Sequence, residues 1–167
     1  MSFTASSLSF MVENLKKTII LTGSQGISNP IIVPMGETRN DGLNNLLCAL
    51  TIAGHYLIPE VLLVFDNYIM RGNRTTKSSA SSFKAFTSPN YYPIGKMNLK
   101  IEINWELIKS YKKDKPTIFH FLNPERKVGV LKLTPFGVPV EPKTKYVVVE
   151  SYGTGNIPIK GPYYEWF

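Results

Sequence analysis

Residues 60–66, Glu-Val-Leu-Leu-Val-Phe-Asp, set five apolar side chains in a row between two carboxylates. Successive side chains of a strand point to opposite faces, so such a run suits a strand covered on both sides. Residues 17–22, Lys-Thr-Ile-Ile-Leu-Thr, form a second short apolar run rich in β-branched residues. Between the two runs, Asn40 or Asp41 can cap a helix by accepting from an orphan amide. That helix places Leu43, Leu46, Leu47, Leu50 and Ala53 on one stripe, with Gly54 as its stop. Leu8, Met11, Val12 and Leu15 recur at helical spacing within residues 3–15. Residues 23–38, broken by Pro30, Pro34 and three glycines, read as a loop. The order helix, strand, helix, strand predicts an α/β fold with a parallel sheet and right-handed crossovers.

At 167 residues the chain can bury a core without staples, and 43% hydrophobic against 19% charged residues reads as globular. Its single cysteine, Cys48, excludes an internal disulfide framework. No stretch approaches the roughly 20 apolar residues of a membrane span, and residues 1–10 lack the pattern of a secretory signal. A soluble, intracellular protein is the expectation. The net charge of +7 is unevenly spread: −1 over residues 1–60, +5 over 61–100 and +3 over 101–167. The middle block interleaves Arg71, Arg74, Lys77, Lys84, Lys96 and Lys100 with Phe83, Phe86, Tyr91 and Tyr92. That pattern can serve nucleic acid, but no DNA- or RNA-binding signature accompanies it, so solvated surface is the plain reading.

Open α/β sheets bind ligands beyond the carboxyl ends of their strands, which here puts residues 22–25 and the loop beginning at Asp66-Asn67 forward. The densest polar segment is Arg71-Gly-Asn-Arg-Thr-Thr-Lys77, placed in the loop after the second strand. Lys77, if it faces a pocket, could favour deprotonation of a hydroxyl; otherwise this is a solvated basic loop. Residues 151–156, Ser-Tyr-Gly-Thr-Gly-Asn, follow a strand. Asn156 there could offer an amide to a polar ligand, or the segment is a plain turn. His55 and His120 have no carboxylate at suggestive spacing and read as structural or exposed. No His, Cys and carboxylate cluster has ligand spacing, so no metal or cofactor is expected. Gly23-Ser24-Gln25-Gly26 lacks the Lys-Ser/Thr of a phosphate loop. Asn73-Arg74-Thr75 is a glycosylation sequon, relevant only to a secreted chain.

Taken together, Ser9-Phe-Met-Val-Glu-Asn-Leu, Ile20-Leu-Thr-Gly-Ser-Gln, Asn40-Asp-Gly-Leu-Asn-Asn-Leu-Leu, Arg71-Gly-Asn-Arg-Thr-Thr-Lys, Phe86-Thr-Ser-Pro-Asn and Tyr152-Gly-Thr-Gly-Asn resemble the bacterial-type L-asparaginase family. The likeness is to its cytoplasmic branch, which includes animal asparaginase–lysophospholipases. The resemblance implies hydrolysis of L-asparagine to L-aspartate and ammonia. A threonine hydroxyl attacks the side-chain amide, donors stabilise the oxyanion, and water releases the acyl-enzyme. It implies that Lys77 is the lysine of an accessory triad with a second threonine and an aspartate. Ser24 and Gln25 match the loop lining the substrate pocket, and Asn156 matches an asparagine offered to a neighbouring subunit's pocket, hence a homo-oligomer. No nucleic-acid or membrane partner is implied.

The family's Thr-Gly-Gly-Thr nucleophile motif does not occur here, and its Gly-Thr-Asp-Thr motif falls just before the residue matched by Met1. The expectation is therefore a truncated member. It comprises a Rossmann/flavodoxin-like N-terminal domain (1–112) without its first strands, a linker (113–126) and the start of a smaller α/β C-terminal domain (127–167). Residues 26–32 read as an insertion and residues 134–145 as a shortened stretch. Exposed sheet edges would make the chain prone to aggregate. The alternative is a catalytically inactive shortened paralogue that joins full-length subunits. Lysophospholipid hydrolysis finds no Gly-x-Ser-x-Gly elbow in the sequence.

Overall fold

The five-residue apolar run is a strand in which every residue is buried. It appears so in a computed structural model that describes residues 1–25, 40–123, 125–135, 137, 143–161 and 163–164. The insertion expected at 26–32 and most of the stretch 134–145 lie outside those residues. In chain order the elements are α1 (Ser2–Met11), β1 (Val12–Glu13), β2 (Ile19–Leu21), α2 (Gly42–His55), β3 (Val61–Phe65) and β4 (Tyr68–Arg71). There follow a 3-10 turn (Gly72–Arg74), β5 (Thr76–Lys77), β6 (Phe86–Thr87), β7 (Gly95–Met97) and β8 (Ile101–Ile103). A second 3-10 turn (Trp105–Leu107), β9 (Ile118–Phe119), β10 (Val128–Lys132) and β11 (Tyr146–Glu150) complete the order. Two compact units result, Met1–Phe121 and Leu122–Phe167.

The first unit is organised around a five-stranded sheet of order β2-β3-β4-β7-β8. β2 and β3 pair in parallel, Ile19 opposite Val61 and Leu21 opposite Leu63. Alternation along β3 sends Leu62 and Val64 to one face, where Cys48, Ala49 and Ile52 of α2 pack with Ile58, Ile69 and Ile94. Leu63 and Phe65 belong to a separate cluster with Met70, Ala85 and Phe86. The Phe65 and Phe86 rings meet edge-on at 5.1 Å, so the β5–β6 ribbon seals the face opposite α2.

Two local features differ from the sequence expectation. The helix expected over residues 3–15 stops at Met11. Val12 is extended (φ −116°, ψ 116°) and pairs antiparallel with Phe119, as Glu13 does with Ile118. Asn14, at φ 53°, donates its amide to the carbonyls of Lys112, Lys115 and Pro116. Long-range pairing thus outcompetes continuation of a helix that has no charged residue to favour it. The loop expected at Asp66-Asn67 is a tight hairpin turn. Both residues have positive φ (47° and 62°), the geometry a two-residue connection needs and Asp and Asn tolerate. β4 therefore runs antiparallel to β3, with Leu62 opposite Arg71, and β7 and β8 continue antiparallel. The α/β class holds, and the sheet is mixed.

α2 carries no Asp, Glu, Lys or Arg, and Leu43, Leu46, Leu47 and Leu50 are exposed along its outer face. No helix among the described residues is long and apolar enough to cross a membrane. In the second unit β10 and β11 pair in parallel. Leu131 and Leu133 pack there with Tyr163, Val147, Val149 and Tyr152, while Val128, Val130, Tyr146 and Val148 are exposed.

Candidate active site

The carboxyl ends of β2 and β3 collect the polar groups of the first unit. Thr22, next after β2, donates its hydroxyl to the Val64 carbonyl at 2.7 Å and locks the strand end in place. The chain then turns through Gly23 to Ser24 and Gln25, which meet the start of α2. Asp41 sits at the N-cap position, but its carboxylate makes no side-chain capping bond to its own helix. It accepts instead from the Ser24 hydroxyl (2.7 Å) and the Gln25 amide (3.0 and 3.1 Å). Asn40 takes over part of the capping role, accepting from the Gly42 amide at 2.8 Å. One turn into α2, buried Asn45 donates to the Gly23 carbonyl (2.9 Å) and Asp41 (3.1 Å), and accepts from the Asp66 amide (3.0 Å). Asn44 donates to Asn67 at 3.0 Å.

Gln25 reaches further. Its side-chain amide donates to the Ser79 carbonyl at 3.3 Å, joining the loop after β2 to the chain just beyond Lys77. Lys77 itself lies on β5, paired with Phe86 of β6, exposed, with Nζ 5.9 Å from the Phe86 ring centroid. The segment expected as one loop, residues 71–77, is thus the end of a strand, a 3-10 turn and a second short strand. Ser24, Gln25 and the Lys77 segment gather within the first unit. Asn156 lies in the second unit, on a turn that Gly155 makes possible at φ 87°. There the Asn156 carbonyl accepts from the Tyr152 amide, and its side chain accepts from the Thr154 hydroxyl.

Basic side chains of the middle block lie over aromatic rings: Lys84 and Lys96 over Tyr68, and Arg71 and Arg74 over Tyr91. The interleaving seen in the sequence is in part an internal packing pattern. Arg71 is buried, with a bidentate bond to Glu60, and those hydrogen bonds hold its guanidinium above its ordinary pKa. His120 is exposed and pairs with Glu13 at 3.0 Å, a partner its sequence spacing did not suggest. Among the described residues no three His, Cys, Asp or Glu side chains gather as a metal site would require. Sequence reasoning missed Asp41 as a loop anchor, and missed Asn45 and Ser79 altogether. A polar residue at position 45, on the buried side of α2 one turn before Cys48 and Ala49 and two before Ile52, was the available signal.

Fold and loop cluster together define an α/β protein of the open-sheet kind, its polar groups collected where such sheets receive small ligands. The family model described as Asparaginase, N-terminal, matches residues 1–109. The chain is 45% identical over 167 residues to human 60 kDa lysophospholipase, covering 96% of this chain and 28% of that protein. It is 39% identical over 165 residues to L-asparaginase 1 of Escherichia coli K12, covering 95% of this chain and 46% of that one. Among solved structures, L-asparaginase I from Vibrio cholerae superposes with a TM-score of 0.76 at 35% identity, over 96% of this chain and 48% of that one. The chain belongs to the asparaginase family. It spans about half the length of these bacterial relatives and less of the human one.

Proposed function

We propose that this chain forms part of an L-asparaginase-type amidohydrolase, which hydrolyses L-asparagine to L-aspartate and ammonia in the cytoplasm by attack of a threonine hydroxyl. Residues 1–112 belong to its N-terminal domain and 127–167 to its C-terminal domain, with 113–126 between them. Ser24 and Gln25 line the substrate pocket. Lys77 favours the deprotonated state of the hydroxyl through its positive charge. Asn156 serves the pocket of a neighbouring subunit in a homo-oligomer. The observation that carries this reading is the bond from the Gln25 side chain to Ser79, which draws the proposed substrate loop to the strand bearing Lys77. The test is ammonia release from L-asparagine by the native protein, captured from its source and weighed intact. Lys77→Ala is expected to lower kcat at least about 100-fold, the scale for losing a preorganised group that stabilises developing charge. Activity that survives the substitution refutes the role given to Lys77.

A second reading, a shortened inactive paralogue that joins full-length subunits, draws support from the exposed leucines of α2. Co-expression with a full-length homologue separates the two, because a pull-down without a bound subunit removes this reading.

A further inference from the structure

Asn45 is 1% exposed, and an amide so buried must satisfy its polar atoms within the protein. It does so across three chain segments. Nδ2 faces the Gly23 carbonyl and the Asp41 carboxylate, while Oδ1 faces the Asp66 amide. Two acceptors on one side and a donor on the other fix which way the amide points. Asp41 then holds the next two residues, taking the Ser24 hydroxyl and the Gln25 amide on its carboxylate. These charge-assisted bonds are short and directional. The network reaches Ser24 and Gln25 on one side and the β3–β4 turn on the other, both beyond the carboxyl ends of the parallel strands. An anchor serving only to seat α2 would not need to reach the backbone of the Ser24–Gln25 loop.

We infer that Asp41 and Asn45 are positioning residues: they hold the Ser24–Gln25 backbone in its substrate-ready shape without touching substrate. The inference rests on the proposed asparaginase site, and it deepens that reading by naming what orders the loop. Preorganised groups bind and stabilise better because no ordering cost remains at the moment of binding.

The test uses the full chain and two readouts, amide hydrogen exchange at Gln25 and chemical-shift titration with L-aspartate. Asn45→Asp is isosteric but turns a carboxylate oxygen toward the Gly23 carbonyl and the Asp41 carboxylate. Asp41→Asn, the milder variant, keeps an acceptor and removes the charge. Thr18→Ala is the control. The Thr18 hydroxyl accepts from the Ile58 amide at 2.8 Å and donates to the Tyr56 carbonyl at 3.2 Å, on the far side of α2 from the loop. Either loop variant is expected to speed Gln25 exchange at least about tenfold and weaken aspartate binding at least about fivefold, as loss of a local anchor should. Thr18→Ala is expected to lower Tm and change neither readout. Unchanged Gln25 exchange in Asp41→Asn overturns the inference, as does a control that shifts exchange and affinity equally. If the unsubstituted chain does not respond to aspartate, the asparaginase-site reading fails by itself. Gln25 exchange then still decides whether Asp41 and Asn45 order the loop.

Discussion

The pair most worth breaking is Glu60 and Arg71. Their side chains are 6% and 8% exposed. Arg71 binds both carboxylate oxygens of Glu60, donates to the Leu107 carbonyl, and stacks over Tyr91 with its guanidinium carbon 4.4 Å from the ring centroid. Glu60 also accepts the Lys109 amide at 2.8 Å. Four chain segments therefore share one buried charge pair. Arg71 stays protonated at any accessible pH, since Glu60 holds its pKa above the ordinary value. Glu60→Met consequently leaves a bare buried cation, and Arg71→Met leaves a bare buried carboxylate. Each is expected to cost about 3–5 kcal/mol, the range for removing one partner of a buried pair. That is about a fifth or more of the roughly 5–15 kcal/mol by which a domain is stable. The double substitution removes both charges and strands the Lys109 amide, while the Leu107 carbonyl keeps the Tyr91 hydroxyl at 3.5 Å. It should therefore cost less than either single change plus about 1 kcal/mol. Urea titration followed by Trp105 fluorescence in a Trp166→Phe background reads this unit alone. Single costs below about 1 kcal/mol, as exposed pairs give, or additivity within about 0.5 kcal/mol, would refute the reasoning. Glu13–His120, with side chains 65% and 56% exposed and lying in the same unit, is the built-in comparison, and losing it should cost no more than about 1 kcal/mol.

Two further outcomes follow from space and from burial. A Cβ at Gly95 would stand 2.5 Å from the Glu102 carbonyl oxygen, whereas one at Gly54 meets nothing within 4 Å. Gly95→Ala should destabilise by about 1–3 kcal/mol through overpacking between β7 and β8. Gly54→Ala should stabilise by about 0.5–1 kcal/mol as a better helix former; in urea titration a stabilised Gly95→Ala would contradict the first expectation and a destabilised Gly54→Ala the second. Burial raises the pKa of the Cys48 thiol. The folded chain therefore holds its thiol proton more tightly than the unfolded one. This contribution is fully present below the unfolded cysteine pKa, near 8.5, and is lost as pH rises through the higher folded value. Alkylation by iodoacetamide at pH 8 should be far slower than for a small free thiol and should recover in urea. Equal rates in the folded and unfolded chain would show that the thiol is not shielded.

Much of the first unit was legible in the sequence because burial leaves a plain signature. Residues 61–65 are apolar without interruption, and they are the strand buried throughout. That α2 is a helix was legible from its apolar periodicity, but the stripe read there, Leu43, Leu46, Leu47 and Leu50, is not the side that faces the sheet. Its outer face carries Leu43, Leu46, Leu47 and Leu50, while the sheet takes Cys48, Ala49 and Ile52. When both faces of a helix are apolar, periodicity cannot choose between them. The end of α1 was illegible because its competitor, β9, lies more than a hundred residues away. The hairpin at Asp66-Asn67 was missed because it lacks the glycine that usually marks such turns, left-handed Asp and Asn doing its work.

That missed turn changes how the candidate site is assembled. Had the chain continued from β3 into an open loop, residues 71–77 would have followed the strand end directly, beside Ser24 and Gln25. Instead the hairpin sends β4 back along β3, and Arg71 ends opposite Leu62, toward the amino end of that strand. The chain must then return to bring Ser79 to Gln25, and two features do this. The Arg71–Glu60 pair fixes where the return begins. The β5–β6 ribbon fixes where it ends, since Phe86 packs on Phe65 at the carboxyl end of β3 and Lys77 is paired opposite Phe86. The position of Lys77 thus depends on a ladder of two residue pairs and one aromatic contact, not on a loop. Substitutions at Phe86 should therefore disturb the Gln25–Ser79 junction through the ribbon, whereas the neighbouring exposed Lys84 should be nearly silent there.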